Sequence, residues 1–333
     1  MAEPKRLLAL VLAAPLLLAA CTTGDGGDGG AAPDGGGTGA GGGGGGGGEL
    51  SVAVVTHGSA GDAFWDVVQN GAEAAGEDLG VAVDYQSDGD PQRQSQLVDA
   101  AVNSGVDGIV VSMANPDALE DSVTAAVRAG IPVVTVNSGG DRSTEFGAIG
   151  HVGQDETVAG RGAGERLAAD GTQNVLCVVH EAGNIGLEQR CAGAAEGLGR
   201  PLTPLQVDVN DLPGAQSTIT SQLQADPSID GVLALNSAVA GVAVDAVAAA
   251  GSEARVATFD LDQDVIAGIQ AGDVAFAVDQ QQYLQGYLPV SMVKLYAENL
   301  NTVGGGQPVL TGPAIVDAGT VDAIADLASA GTR

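Results

Sequence analysis

Residues Leu50–Gly80, LSVAVVTHGSAGDAFWDVVQNGAEAAGEDLG, decide the fold. Val52, Val54 and Val55 form a short β-branched run ending at Thr56, the pattern of a strand buried on both faces. A polar, glycine-containing loop follows. From Ala63 the apolar residues Phe64, Val67, Val68, Gly71, Ala72 and Ala75 recur at three- and four-residue spacings, and Asp62 stands where a side chain caps the first helical turn. Phe64 and Trp65, the only Trp of the chain, are adjacent at this strand-to-helix corner. Neighbours on a helix do not share a face, so one can enter the core while the other stands at the mouth of the corner. The residues leave two readings open: a pair of core aromatics, or an aromatic platform at the carboxyl end of a strand, where open α/β sheets place their ligands.

Outward from this unit, short β-branched runs alternate with helical patterns to the end of the chain. Strands are expected at Val81–Gln86, Gly108–Met113, Ile131–Asn137 and Phe146–Val152. Further runs stand at Val175–His180, Leu205–Val209, Gly231–Asn236, Val256–Phe259 and Val274–Val278. Asp90-Pro91 and Asn115-Pro116 each place a capping side chain before a proline at the first helical position, and Gly105 and Gly130 sit where helices stop. Alternation at this spacing predicts an α/β fold of doubly wound parallel sheets with helices on both faces. The roughly 280 residues after the first strand begins are enough for two lobes with ordinary cores.

Ahead of that body, Lys5 and Arg6 precede an apolar run from Leu7 to Ala20, too short to span a bilayer as a mature helix but suited to a secretory signal peptide over residues 1–20. Leu18-Ala19-Ala20-Cys21 resembles the bacterial lipobox, which makes Cys21 a lipidation site and the protein extracytoplasmic, anchored to the outer face of the cell membrane. Residues 21–49, nearly all Gly, Asp, Ala and Thr, predict a flexible tether. Their loose Gly-x-Gly-x-x-Gly matches carry no weight, because that fingerprint must follow a strand and open a helix. With Cys21 committed, Cys177 and Cys191 are left in an oxidising compartment, either as a disulfide or as two buried thiols.

The formal charge of −30 argues against nucleic acid or an anionic lipid surface as partner. What stands at the expected strand ends is chemically uniform: Thr56-His57, Ser112, Asn137-Ser138, Asn236, Asp260 and Asp279-Gln280. Each alone reads equally as a cap or turn residue. Along one crevice they supply neutral donors and acceptors plus carboxylates, which suits a polyhydroxylated ligand.

The motifs DAFWDVVQNGAEAAGEDLG, GVDGIVVSMANPDAL, AGIPVVTVNSG, HVGQDETVAGRGAGERL, the GVLALNS and VATFD strand ends, and DQQQYLQGY, in this order and spacing, resemble the type I periplasmic substrate-binding proteins of ABC importers, in the ribose- and galactose-binding cluster. The resemblance covers essentially everything after the tether. It implies two lobes joined by crossing hinge segments that close over a sugar like a flytrap, with residues 50–151 plus about 281–306 as the N-terminal lobe and 152–280 plus about 307–333 as the C-terminal lobe. It also implies a monomer that needs no cofactor, captures a monosaccharide or sugar alcohol (a pentose, hexose or amino sugar), and presents it to an ABC transporter permease.

Carried over on matching positions, Phe64 and Trp65 take the place of the family's stacking aromatics. Asn137 and Ser138 stand where the family has an acidic and a basic residue, Arg190 matches the second-lobe arginine, and Asn236, Asp260 and Gln280 match the remaining polar contacts. Thr56 and His57 complete the expected ligand set. Val209 stands about where a second stacking Phe belongs, so that part of the aromatic sandwich is missing or is supplied by His57 or Tyr283.

Asp260-Leu261-Asp262-Gln263-Asp264 and Asp208-Val209-Asn210-Asp211 alternate oxygens but lack the glycine and terminal Glu of a calcium loop. His57, His151 and His180 stand in separate strand-end contexts, so no metal site is expected. No nucleophile elbow, Walker loop or Ser/His/Asp arrangement appears, which favours a binding protein over an enzyme. A sensory receptor with the same pocket, or a binder of a nucleoside or amino acid, is the alternative that the residues leave open.

Overall fold

The computed structural model describes residues 49–59 and 61–333; the signal-peptide segment, the Cys21 lipidation site and all but the last residue of the tether lie outside the described residues. The first lobe runs β1 (Leu50–Thr56), α1 (Ala63–Leu79), β2 (Val81–Ser87), α2 (Pro91–Ser104), β3 (Gly108–Ser112), α3 (Pro116–Arg128), β4 (Val133–Val136), a single turn α4 (Gly140–Ser143) and β5 (Gly150–Gly153). The second runs α5 (Glu156–Ala169), β6 (Val175–Val179), α6 (Ile185–Leu198), β7 (Thr203–Gln206), α7 (Leu212–Ala225), β8 (Gly231–Ala234), α8 (Ser237–Ala250), β9 (Arg255–Phe259), α9 (Gln263–Ala271) and β10 (Val274–Asp279). The chain then returns to the first lobe as α10 (Gln282–Asn299) and β11 (Val309–Leu310), and ends in the second with β12 (Ala314–Asp317) and α11 (Ala325–Ser329).

Among the described residues the strands form two six-stranded sheets, ordered β11-β5-β4-β3-β1-β2 and β12-β10-β9-β8-β6-β7. All pairings are parallel except β10 with β12, where the chain doubles back. The central strands are buried along their whole length, as their unbroken apolar runs require. In both sheets the order reverses between the first strand of the lobe and the third, the switch point outside which α/β sheets bind ligands.

The helix signals hold. Asp62, Asp90 and Asn115 accept hydrogen bonds from the first-turn amides of α1, α2 and α3, and Gly105 ends α2 in the left-handed region. Most strand boundaries move by one or two residues, and three of the shifts have a clear physical cause. The seventh strand is Thr203–Gln206 rather than Leu205–Val209: it is an edge strand that tolerates Pro204, and its register with β6 ends at Gln206 opposite Val179, the Val207 amide still donating to the Val179 carbonyl. The fifth begins at Gly150, because Phe146 is drawn into the core beneath the Arg142 guanidinium, 4.8 Å from its ring. The fourth is Val133–Val136, since Ile131 still closes the end of α3 on the Ala126 carbonyl and Asn137 turns left-handed with φ of 60°.

Among the described residues the chain passes between the sheets three times, at Gln154-Asp155, at Gln280-Gln281 and at Thr311–Pro313. The last passage lies a few residues beyond the expected 306, because β11 first pairs with β5 of the first lobe. No described helix is long and apolar enough to cross a membrane.

Candidate functional site

A cleft of about 1100 Å³ opens between the carboxyl edges of the two sheets, lined from both lobes. On the first-lobe side, β1 delivers His57 to its rim. The His57 backbone amide donates to Ser112 Oγ at 2.9 Å and its ring Nδ1 lies 2.7 Å from the same oxygen, so the end of β3 fixes the imidazole. The ring meets Trp65 edge-on at 4.7 Å, and Phe64 meets Trp65 edge-on from elsewhere at 5.0 Å. Both aromatics are buried and both line the cleft, so neither is given over to the core alone. Gly58 is obligatory here, since a Cβ would lie about 2.5 Å from the Trp65 ring.

Thr56 is not part of the lining. It is fully buried one residue earlier, and its hydroxyl pairs with the Tyr85 hydroxyl at 3.0 Å, as the alternation of a strand dictates when the next residue faces the cleft.

At the end of β4, Asn137 and Ser138 reach the cleft floor and are tied to the second crossing. Asn137 Nδ2 donates to Gln280 Oε1 at 3.2 Å and to Gln285 Oε1 at 3.1 Å, while Ser138 Oγ donates to Asn137 Oδ1 at 2.9 Å. Gln280 passes the connection on, its Nε2 donating to Asp260 Oδ1 at 2.6 Å. One chain of amides thus joins Asn137 of the first lobe to Asp260 of the second. Asp260, like Asn137, is left-handed, with φ of 68°. Both belong to the residue types that tolerate this conformation, and both hold their side chains at the crevice.

The second lobe supplies the charge. Arg190 on α6 is buried and makes a bidentate pair with Glu156, Nε to Oε2 at 2.6 Å and Nη2 to Oε1 at 3.1 Å, while Nη1 donates to the Leu235 carbonyl at 3.0 Å. Its guanidinium lies 4.5 Å from the centre of the Phe259 ring. Three of its five N–H groups are spent, leaving one on each terminal nitrogen for the cleft. Asn236 uses its carbonyl oxygen to cap α8 through the Val239 amide at 2.9 Å, which leaves its NH₂ as the group it can offer.

Burial sets the protonation states. The Asp260 carboxyl is pushed up to about 7 by desolvation, against the pull of Arg190, and Asp62 is pushed up to about 6 by the same cause. His180 is lowered to about 3 by burial and by the nearby Arg190, and burial also holds His57 below its ordinary value against the opposing Glu181. Both imidazoles are neutral at pH 7. His180 Nδ1 finds no partner among the described residues.

The two lobes touch across the mouth. His57 Nε2 lies 4.0 Å from Glu181 Oε2, Ile185 donates its backbone amide to the Ala114 carbonyl at 3.1 Å, and Gln189 donates to Asp141 at 2.8 Å. Tyr283 does not enter the cleft: its ring stacks on Tyr287 along α10, while its main chain packs against Gly71 of α1. Among the described residues the second lobe lines the cleft with Val209, Leu187 and Arg190 and with no Phe, Tyr or Trp.

Glu156, Gln285 and Asp62 are functional-site neighbours that the sequence reading passes over. Glu156 follows the Asp155 helix cap and has no pattern of its own; Gln285 lies inside the DQQQYLQGY motif, five residues after Gln280. The Cys177 and Cys191 sulfurs are bonded, linking β6 to α6 immediately beside Arg190. The two aspartate-rich segments resolve into local structure: Asp262 caps α9, Asp211 caps α7 and Asp208 bonds Asn210. Among the described residues no cluster of His, Cys, Asp and Glu is disposed to hold a metal ion.

The profile of the periplasmic binding protein domain matches residues 52–301. The chain belongs to this family. A carbohydrate transporter protein from Acidothermus cellulolyticus, solved in complex with myo-inositol, is 44% identical with a TM-score of 0.84, covering 86% of this chain and all of that one. The ribose import binding protein of Bacillus subtilis is 27% identical over 214 residues, 62% of this chain and 68% of that protein. The xylose/arabinose-binding protein of Sulfolobus acidocaldarius is 28% identical over 218 residues, and the match takes in 60% of this chain and about half, 54%, of that relative's length. The cleft of this periplasmic binding protein is a composite: no single sheet edge contains the aromatic wall, the amide chain and the arginine together.

Proposed function

We propose that this periplasmic binding protein captures a neutral polyhydroxylated ring, a monosaccharide or cyclic sugar alcohol, between its lobes and delivers it to an ABC transporter permease. The observation that carries this reading is the composite cleft: an aromatic face, Trp65, from the first lobe and a fork of donors, Arg190, from the second, with Asn137, Gln280, Asn236 and Asp260 lining the same space. A ring with axial hydrogens on one face and hydroxyls at its edge satisfies both kinds of wall. The 44% identical relative was solved with myo-inositol, which supports a cyclic polyol among the candidates. Because ligand contacts come from both lobes, binding favours the closed arrangement by as much as it binds that state better than the open one.

The 1–20 segment, the Cys21 lipobox and the glycine-rich tether support an extracytoplasmic lipoprotein held at the membrane's outer face. Trp65, as the only Trp, reports on the cleft directly. Titration of the purified protein with myo-inositol, D-ribose, D-xylose, D-glucose and D-galactose should give a saturable emission change and a raised Tm with at least one of them. Silence of both signals across the panel would sink the proposal.

A further inference from the structure

The cleft contains an arginine, yet it carries no net positive charge where a ligand would sit. Among the described lining residues the cations are Arg190 and the exposed Arg93, and Arg93 is paired with Asp88 at 2.8 Å. Arg190 is compensated from behind by Glu156, a buried carboxylate that does not itself line the cleft and that also accepts from Gln154 Nε2 at 2.9 Å. Facing the ligand space are Asp260, Asp62 and Glu181, with two neutral imidazoles. The inner cleft is therefore acid-rich, and its one arginine is already neutralised.

We infer that Glu156 is a specificity-determining positioning residue: by neutralising Arg190 it turns the guanidinium into a fork of hydrogen-bond donors for hydroxyls and makes the cleft reject polyols that bear a carboxylate or phosphate. An arginine left unpaired in a water-poor cleft would attract such anions. Paired bidentately, it offers the same N–H groups without an uncompensated field, while Asp62, whose carboxyl is pushed up only to about 6, is mostly ionised at pH 7 and repels anions. Glu156 also fixes the guanidinium plane, with Gln154 bracing the carboxylate and the Leu235 carbonyl bracing the other edge.

This inference rests on the polyol reading above, and the two can fail separately. The test is a titration of the full protein, by Trp65 emission and calorimetry, with matched pairs: myo-inositol against myo-inositol 1-phosphate, D-glucose against D-glucuronate, and D-galactose against D-galacturonate. In the wild type the neutral member of a binding pair should be favoured by about a hundredfold, equivalent to about 2.8 kcal/mol. In Glu156→Gln the gap should narrow by about tenfold, chiefly through a gain in affinity for the charged member, whereas Glu156→Asp should keep it. A purely structural role would weaken both members of a pair alike and leave their ratio unmoved, and that result overturns the inference. So does a wild type that binds neutral and charged members equally, an outcome that requires no variant and stands even if Glu156→Gln fails to fold. If no neutral member binds at all, the polyol reading falls and takes this inference with it.

Discussion

The two lobes are built on one plan and furnished differently. Strand order matches position by position, with β1 to β5 of one sheet standing where β6 to β10 stand in the other. A histidine follows the first strand of each lobe, His57 and His180, and a left-handed polar residue follows the fourth, Asn137 and Asp260. The helix after the first strand carries a large cleft-lining side chain in both: Trp65 on α1, Arg190 on α6. In both lobes that helix packs closely against the one that follows a crossing, α1 on α10 and α6 on α5, through glycines that leave no room for a methyl group. Yet the first lobe offers an aromatic face and the Asn137 amide, whereas the second offers Asp260 and an Arg190 backed by the buried Glu156. A shared scaffold thus fixes where groups point, and local residue choice decides which wall stacks and which wall hydrogen-bonds with charge.

The largest break in that division comes from Arg190→Ala. It strips the second lobe of its donor fork and strands Glu156 as a buried, unpaired carboxylate, a change that costs about 3–5 kcal/mol when one partner of such a pair is removed. Thermal unfolding should show a Tm lowered by many degrees, and Trp65 emission should no longer respond to ligand. A variant that melts like the wild type would mean the pair is not structural.

Next come matched glycine variants, one per lobe. A methyl at Gly160 would overlap the Arg190 carbonyl, and a methyl at Gly286 would overlap the Val68 carbonyl. Overpacking of this kind costs about 1–3 kcal/mol. Both Gly160→Ala and Gly286→Ala should therefore lower Tm. They should part on a second readout, with Gly160→Ala changing affinity through Arg190 and Gly286→Ala changing the unliganded emission of Trp65. The same emission spectrum for the two variants would show that the helix pairs are not independent positioning devices.

How much of this was legible in the sequence depends on range. The alternation of buried strands and capped helices is a local pattern, so Asp62, Asp90 and Asn115 could be read as caps without knowing any neighbour. The crevice was legible too, because topology alone brings strand ends together: His57, Asn137, Asn236, Asp260 and Gln280 all line it. Thr56 was misread because the side-chain period of a strand is two, and a reading that marks the strand end does not fix which of two adjacent residues faces out. The sequence leaves Tyr283 open as one source of the second aromatic because its face depends on how α10 docks against α1. Glu156 could not be found from its surroundings, since its partner lies 34 positions away and the pairing exists only once α5 and α6 have packed.

A smaller effect distinguishes Asp260 from its first-lobe counterpart Asn137, and it is a slope rather than a step. Folding raises the Asp260 carboxyl from its ordinary 3.8 to about 7, so between those values the folded protein holds a proton that the unfolded chain has lost. The stability this contributes is complete below pH 4 and is lost as pH rises through 7. Buried His151 and His180, lowered to about 4 and about 3, act in the opposite sense below pH 6.5. The comparison is therefore cleanest between pH 6.5 and 8, where the unliganded wild type should lose Tm relative to Asp260→Asn. Parallel Tm profiles for the two proteins over that window would refute the assignment.

The most local readout concerns the other matched pair, His57 and His180. Ser112 Oγ accepts from the His57 backbone amide, and with that role filled its own proton is best donated to Nδ1, 2.7 Å away, which places the ring proton on Nε2. That proton points at Glu181 across the mouth, 4.0 Å distant. His180 has no such partner on its Nδ1 among the described residues. Ser112→Ala should cost about 1–3 kcal/mol for the two buried groups left unmet, and it should free the His57 ring while leaving His180 unchanged. Nitrogen NMR of the two imidazoles reads this directly: His57 should be a single Nε2–H tautomer in the wild type and a mixture in the variant. A wild-type His57 protonated on Nδ1 would reverse the donor at Ser112 and remove the proton from the Glu181 contact, so that the rim contact between the lobes would have to rest on the Ile185 and Gln189 hydrogen bonds alone.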